Sequence, residues 1–218
     1  MKSTFLLSAA LLIVPGIVAG QQCEHAATYV TAFGTDTISI DHQTFLGDTV
    51  TGSLLGRGGP TQWSLIRYRA LMERDGLVRS MSLSIWPAAA DSIGAPIQVT
   101  ELTFGPRTMV AVVRDARRGV QSQVDSVVPG TMPYMDNAPF FTAALVRRGL
   151  ALRADPVDVP MLWLFTRGTR EVMTIVRQGA DSLMLRTPRM QLSAKVSDGR
   201  LLSSWRGDSV AITRVGCG

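Results

Sequence analysis

The stretch RSMSLSIW, residues 79–86, sets Met81, Leu83 and Ile85 against Ser80, Ser82 and Ser84. An apolar residue at every second position gives one dry face and one hydroxyl face, the period of a half-buried strand and not of a helical stripe. The same alternation appears at Ile66, Tyr68, Ala70 and Met72 against Arg67, Arg69 and Leu71. It returns at Met190, Leu192, Ala194 and Val196 against Gln191, Ser193 and Lys195. Around residue 40, Ile38 and Ile40 alternate with Thr37, Ser39 and Asp41, which predicts the isoleucines on the core side and Asp41 on the wet side, with His42 continuing the isoleucine face.

Turn signals separate these runs: Gly47-Asp48, Arg57-Gly58-Gly59-Pro60, Asp75-Gly76, Gly105-Pro106, Gly179-Ala180-Asp181, Asp198-Gly199 and Gly207-Asp208. Asp-Gly between alternating segments favours a tight hairpin, because such turns need positive φ at their centre. The chain therefore reads as mainly β, an antiparallel meander of about ten to twelve strands forming a curved sheet or half-barrel. One segment departs from the pattern. MDNAPFFTAALVRRG, residues 135–149, offers Asp136 or Asn137 as a cap, Pro139 in the first turn, arginines in the last turn and Gly149 as a stop. It predicts a short helix packed on the sheet, with Phe141, Ala144, Leu145 and Arg148 on one stripe.

The first twenty residues, MKSTFLLSAALLIVPGIVAG, carry one charge, an apolar stretch broken by Pro15-Gly16, and small residues at Ala19 and Gly20. This is the pattern of an export signal with cleavage after Gly20, leaving a single β-rich domain over residues 21–218 with no transmembrane segment. The implied location is periplasmic or secreted. Cys23 and Cys217 are the two cysteines. In an oxidising compartment an even cysteine count reads as pairing, here a disulfide tying the two ends together. A zinc site would need about four ligands, and His25 alone accompanies the cysteines, so no metal is expected.

The formal net charge is +5, and of twenty-two basic residues only Lys2 and Lys195 are lysine. The arginines are scattered apart from the doublets Arg117-Arg118 and Arg147-Arg148. A nucleic-acid binder would gather them with interleaved aromatics, so nucleic acid is not expected as a partner. An acidic surface polymer, held by the arginines of a structural or adhesive module, remains an alternative.

Asp followed by Ser or Thr and an aliphatic residue recurs at Asp36, Asp48, Asp91, Asp125, Asp181 and Asp208. A catalytic aspartate dyad would carry glycine after each pair, and none of these does. The repeats read as turn-to-strand punctuation, in which the carboxylate caps its own turn. His25 and His42 are the two histidines, and a hydrolytic enzyme would have to recruit one of them. No nucleophile elbow, phosphate loop, dinucleotide fingerprint or His-Glu metal helix accompanies them, so a non-catalytic protein without a cofactor is the leading expectation.

Tyr68, Met81, Leu83, Phe141, Trp163 and Phe165 are the candidate ligand-binding residues, from the dry faces of strands, the helix and the apolar run VPMLWLF at 159–165. Taken in order, YVTAFGTDTISI, the long hairpins, DNAPFFTAALVRRG and the closing SDGRLLSSWRGDSVAITRV resemble uncharacterised bacterial envelope proteins with a curved antiparallel half-barrel, similar in architecture to the LolA and LolB lipoprotein carriers. The resemblance implies an apolar cavity covered by helix, open to an apolar or amphipathic ligand or a partner on the concave face. It matches no functional residue of that family to a position in this chain.

Overall fold

The computed structural model describes residues 25–57, 62–88, 94–164, 169–207 and 209–216. The expected export signal, Cys23, Cys217 and Phe165 lie outside them, as do Asp91 and Asp208. Among the described residues the alternating runs become fifteen strands, more than the ten to twelve expected. They are β1 (Ala26–Phe33), β2 (Asp36–Leu46), β3 (Thr49–Arg57), β4 (Trp63–Met72), β5 (Val78–Pro87), β6 (Gln98–Phe104), β7 (Thr108–Asp115), β8 (Gly119–Ser126), β9 (Met132–Tyr134), β10 (Val157–Trp163), β11 (Arg170–Arg177), β12 (Ser182–Arg186), β13 (Gln191–Ser197), β14 (Arg200–Arg206) and β15 (Val210–Gly216). One helix, α1 (Pro139–Ala151), stands between β9 and β10.

All fifteen strands join in one sheet, in the order β8-β7-β6-β5-β4-β3-β2-β1-β15-β14-β13-β12-β11-β10-β9. Each neighbour is antiparallel except β9 and β10, which are parallel because α1 carries the chain back between them. The first strand pairs with the last, Thr28 opposite Gly216. The Asp198-Gly199 hairpin forms as expected, with φ of 50° and 73° at its two central residues.

Chain length dictates the curvature. A flat sheet of fifteen strands would be roughly 67 Å wide at about 4.8 Å per strand. Yet β8 and β9, the two outer strands, are consecutive in the chain, and residues 127–131 span at most about 20 Å between them. The sheet therefore has to wrap around until its edges approach each other. At that seam the Asp125 carboxylate of β8 lies 4.0 Å from the Arg170 guanidinium of β11.

The expected faces hold on most strands. Tyr68, Ala70 and Met72 of β4, Met81 and Leu83 of β5, and Leu192, Ala194 and Val196 of β13 all point inward and are buried. β2 is the exception. Ser39, Asp41 and Gln43 are its buried residues, whereas Ile38 and Ile40 are only half-buried and His42 is exposed. The register agrees, since Asp41 pairs with Tyr29 and Leu54, both interior.

The helix fills the concave side. Pro139, Phe140, Phe141, Thr142, Ala144, Leu145, Val146 and Gly149 are buried, so the helix is enclosed on more than one side. Two expectations for it are corrected. Gly149 does not stop the helix, which runs on to Ala151. Glycine is needed there because a Cβ would sit 2.7 Å from Ile175 Cδ1 and 3.0 Å from its Cγ2, so α1 packs on β11 at glycine distance. Nor does Asp136 or Asn137 cap it; the N-cap is Ala138, which has no side-chain acceptor.

Of the Asp-Ser/Thr repeats that are described, Asp48 and Asp181 precede strands and accept from their own Thr49 and Ser182 hydroxyls. Asp36 opens β2, whereas Asp125 stands near the end of β8 and marks no strand entry. Truncating Phe141, 1% exposed, to alanine is expected to cost about 3–5 kcal/mol in a denaturant titration.

Candidate functional site

A helix that begins with Ala-Pro has no side-chain cap; Pro139 carries no N–H, the Phe141 N–H bonds the Ala138 carbonyl at 3.1 Å, and the Phe140 N–H is left to find a partner outside the helix. The partner comes from the barrel wall. Asp41 Oδ2 on β2 accepts the Phe140 backbone N–H at 3.1 Å. The same carboxylate accepts the Tyr68 hydroxyl at 2.8 Å through Oδ1 and the Gln43 amide at 2.8 Å through Oδ2. Three donors thus converge on one fully buried acid whose negative charge also faces the positive end of α1. Ser39 adds a fourth tie from the same strand, its hydroxyl donating to the Asn137 carbonyl at 3.0 Å.

Tyr68 reaches Asp41 from two strands away because Gly52 lies between them. Gly52 pairs with both Gln43 and Tyr68 in the sheet. A Cβ at Gly52 would stand 2.3 Å from the Tyr68 Cζ and Oη atoms and 2.7 Å from the His42 carbonyl. The glycine is the gap across which the phenol lies. The Tyr68 ring then rests against Phe140 at 4.9 Å between centroids.

Burial pushes the Asp41 carboxyl from 3.8 up to about 6, against the hydrogen bonds from Gln43, Tyr68 and the Phe140 N–H, which pull the other way. The far end of α1 is held separately. Arg148 pairs with Asp75 in the β4–β5 turn, and the Arg147 guanidinium donates to the Arg74 carbonyl at 3.2 Å.

Between this anchored helix and the wall lies a cavity of about 570 Å³. Its floor is apolar, from Ala27, Tyr29, Phe45, Met72, Phe140 and Leu201, with Ala143 and Ala144 keeping the helix side shallow. Four arginines among the described residues line it as well: Arg74 in the β4–β5 turn, Arg147 on α1, Arg200 on β14 and Arg214 on β15. Arg214 pairs with Tyr29 across the β1–β15 ladder and so faces the interior. Burial raises the pKa of the Tyr29 hydroxyl above its ordinary value, opposed by Arg214 and Arg200 and reinforced by Asp41. A volume of this size falls within the roughly 300–1,000 Å³ of small-molecule sites.

The candidate ligand residues lie elsewhere. Tyr68, Met81, Leu83 and Phe141 are packed core, and none of them lines the cavity. Trp163 sits edge-on to Tyr134 at 4.8 Å, away from the cavity. Phe165 is outside the described residues. His42 is exposed on the outer face, its Nδ1 2.9 Å from the Thr28 hydroxyl, while His25 stands exposed at the cavity's edge. Asp41 and His42 point to opposite sides of the sheet and do not form a catalytic pair. Among the described residues no group of three or more His, Cys, Asp or Glu is placed to hold a metal. None of their helices is long and apolar enough to cross a membrane.

Two solved structures share the architecture. A DUF1089 family protein from Pseudomonas aeruginosa superposes with a TM-score of 0.55 at 12% identity, over 89% of this chain and 95% of that one. A beta-barrel-like protein of the domain of unknown function DUF1849 from Brucella abortus gives 0.51 at 10% identity, over 88% and 95%. Both likenesses are to the fold. No family model and no curated protein matches the sequence.

The Asp41 cluster makes two expected outcomes measurable. Asp41→Ala orphans three buried donors at about 1–3 kcal/mol each, partly offset by release of the buried acid, for a net loss of about 3 kcal/mol at pH 5 in urea titration. Asp41→Asn tests the charge. Because the folded pKa is raised, the folded state holds the proton more tightly than the unfolded chain between about pH 4 and 6, and stability falls as pH rises through that window. The wild type is therefore expected to lose roughly 3 kcal/mol relative to Asp41→Asn between pH 4 and 7, at about 1.4 kcal/mol per pH unit. A difference that stays constant with pH would contradict the buried acid.

Proposed function

We propose that this is an exported, non-catalytic envelope protein that binds an anionic amphiphile in the cavity between α1 and the barrel wall. The observation that carries the reading is an apolar floor lined also by four arginines against one acid, Asp198, among the described residues. The apolar floor suits an acyl chain, and Arg74, Arg147, Arg200 and Arg214 suit a carboxylate, sulfate or phosphate head. The lipoprotein-carrier likeness of the sequence points the same way, since a helix over an apolar cavity is what it implies. Hydrolysis has no comparable support: His42 meets the Thr28 hydroxyl at 2.9 Å on the outer face of the sheet, while Asp41 points to the interior.

The pattern of residues 1–20 supports export. A Cys23–Cys217 bridge rests on the same export pattern and on the even cysteine count, and the first and last described strands, β1 and β15, are neighbours. Such a bridge would close a loop of nearly the whole chain and stabilise it by about 5 kcal/mol in the chain-entropy account.

The reading is tested by displacement of a sulfonated naphthalene dye from the purified mature protein. Dodecyl sulfate and long-chain carboxylates are expected to displace it, and the matching fatty alcohols to do so at least about tenfold less well, the worth of one charge-assisted contact. Ala143→Trp, which fills the cavity from the helix side, is expected to abolish dye binding. The double variant Arg74→Glu/Arg200→Glu should lose the preference for the acid over the alcohol. No dye uptake, or uptake unchanged in Ala143→Trp, would contradict the proposal.

A further inference from the structure

The two edges of the sheet are treated differently. β9 spans three buried residues, includes Pro133 and lies under α1, which are the usual protections of an edge. β8 has none of them. It is eight residues long, it is the outer strand of the sheet, and every side chain from Gly119 to Val124 is exposed, Val120 at 69% and Val124 at 66%. The stretch Gly119–Val124 contains no charge, no proline and no lysine. The seam meets its own chain at the Asp125 end, through Arg170, and leaves the rest of the strand in solvent.

Its sequence is also self-complementary. Val120-Gln121-Ser122-Gln123-Val124 reads the same in both directions about Ser122. A twofold interface requires residue i of one copy to meet j of the other while j meets i. An antiparallel pairing of two β8 strands centred on Ser122 meets that condition at every position. Val120 faces Val124 of the second copy, Gln121 faces Gln123, and Ser122 faces its own equivalent on the axis. The flanks complement each other too. The basic turn Arg117-Arg118 precedes the strand and Asp125 follows Val124, so each copy's basic turn lies beside the other's acid.

We propose that β8 is a dimerisation edge, through which two copies of this chain join their sheets by antiparallel strand pairing centred on Ser122. The paired strands supply backbone hydrogen bonds and cross-strand valine contacts, but a single strand pair covers less surface than the roughly 1,200–2,000 Å² of a typical stable interface. The association is therefore reversible and concentration-dependent. It does not involve the cavity and stands whether or not the cavity binds an amphiphile.

Sedimentation velocity of the mature chain over a wide concentration range tests the proposal. A monomer–dimer equilibrium is expected, and Ser122→Lys, which sets two like charges face to face on the axis, should weaken it by at least about tenfold. Ser122 is exposed, opposite Val112 on β7, so the variant should keep the far-ultraviolet spectrum and stability of the wild type. Ser122→Cys is the positive counterpart. Cα separations across an antiparallel pair fall within disulfide reach, so it should form a covalent dimer on mild oxidation. Leu46→Cys, 78% exposed and away from the edge, should crosslink more slowly. A chain that stays monomeric throughout overturns the proposal. So does a dimer indifferent to Ser122→Lys, or equal crosslinking of the two cysteine variants.

Discussion

One buried carboxylate decides how the inside of this barrel is arranged. Asp41 is fully enclosed, and taking a carboxyl group out of water is costly enough to raise its pKa to about 6. It is kept because the helix opposite cannot finish its own N-terminus. The Phe140 N–H, the Tyr68 hydroxyl and the Gln43 amide all end on it, so β2, β4 and α1 are tied at a single point. The contribution is one of position more than of net stability. An apolar residue at 41 would remove a buried charge, yet it would leave three donors without an acceptor and the helix free to slide along an apolar wall.

Because the helix is held at Asp41 and again at Asp75, it divides the concave side. Phe141 and Leu145 pack into the sheet and seal one part as core. The adjoining face presents Ala143 and Arg147, with Ala144 at its border, too small or too polar to fill the space before β1, β14 and β15. The cavity is thus a consequence of where the helix is fixed and of how small its residues are at that face. The arginines that line it come from the β4–β5 turn, the helix, β14 and β15, and only the wrapping of the sheet gathers them.

The architecture was legible where one face of a strand is dry. RSMSLSIW and the segments at 66–72 and 190–196 announced strand, face and core residues correctly, because burial on one side imposes a period of two. The count fell short where that cause is missing. GVQSQVDS of β8 is exposed on both faces and MPY of β9 is buried on both, so neither alternates. The inversion of β2 has a different origin. Its interior positions meet a helix end and not an apolar layer, so Ser39, Asp41 and Gln43 face inward. The sequence offered Asp136 or Asn137 as the helix's own cap, and only the structure shows an uncapped Ala138-Pro139 start and the close approach at Gly52 that go with the inversion. The cavity was not legible, since Arg74, Arg147, Arg200 and Arg214 are far apart in sequence. The aromatic and sulfur-bearing residues that looked like ligand contacts, Tyr68, Met81 and Phe141, are packed interior instead.

The most direct measurement of this account is amide hydrogen exchange across α1 in Asp41→Ala, read by NMR against the wild type at pH 5. If Asp41 fixes the helix, the amides from Phe140 to Val146 lose protection well beyond the drop that the overall loss of about 3 kcal/mol imposes on the slowest amides of β4 and β5. Helix amides as slow in the variant as in the wild type, or a uniform loss over the sheet and helix alike, would contradict it.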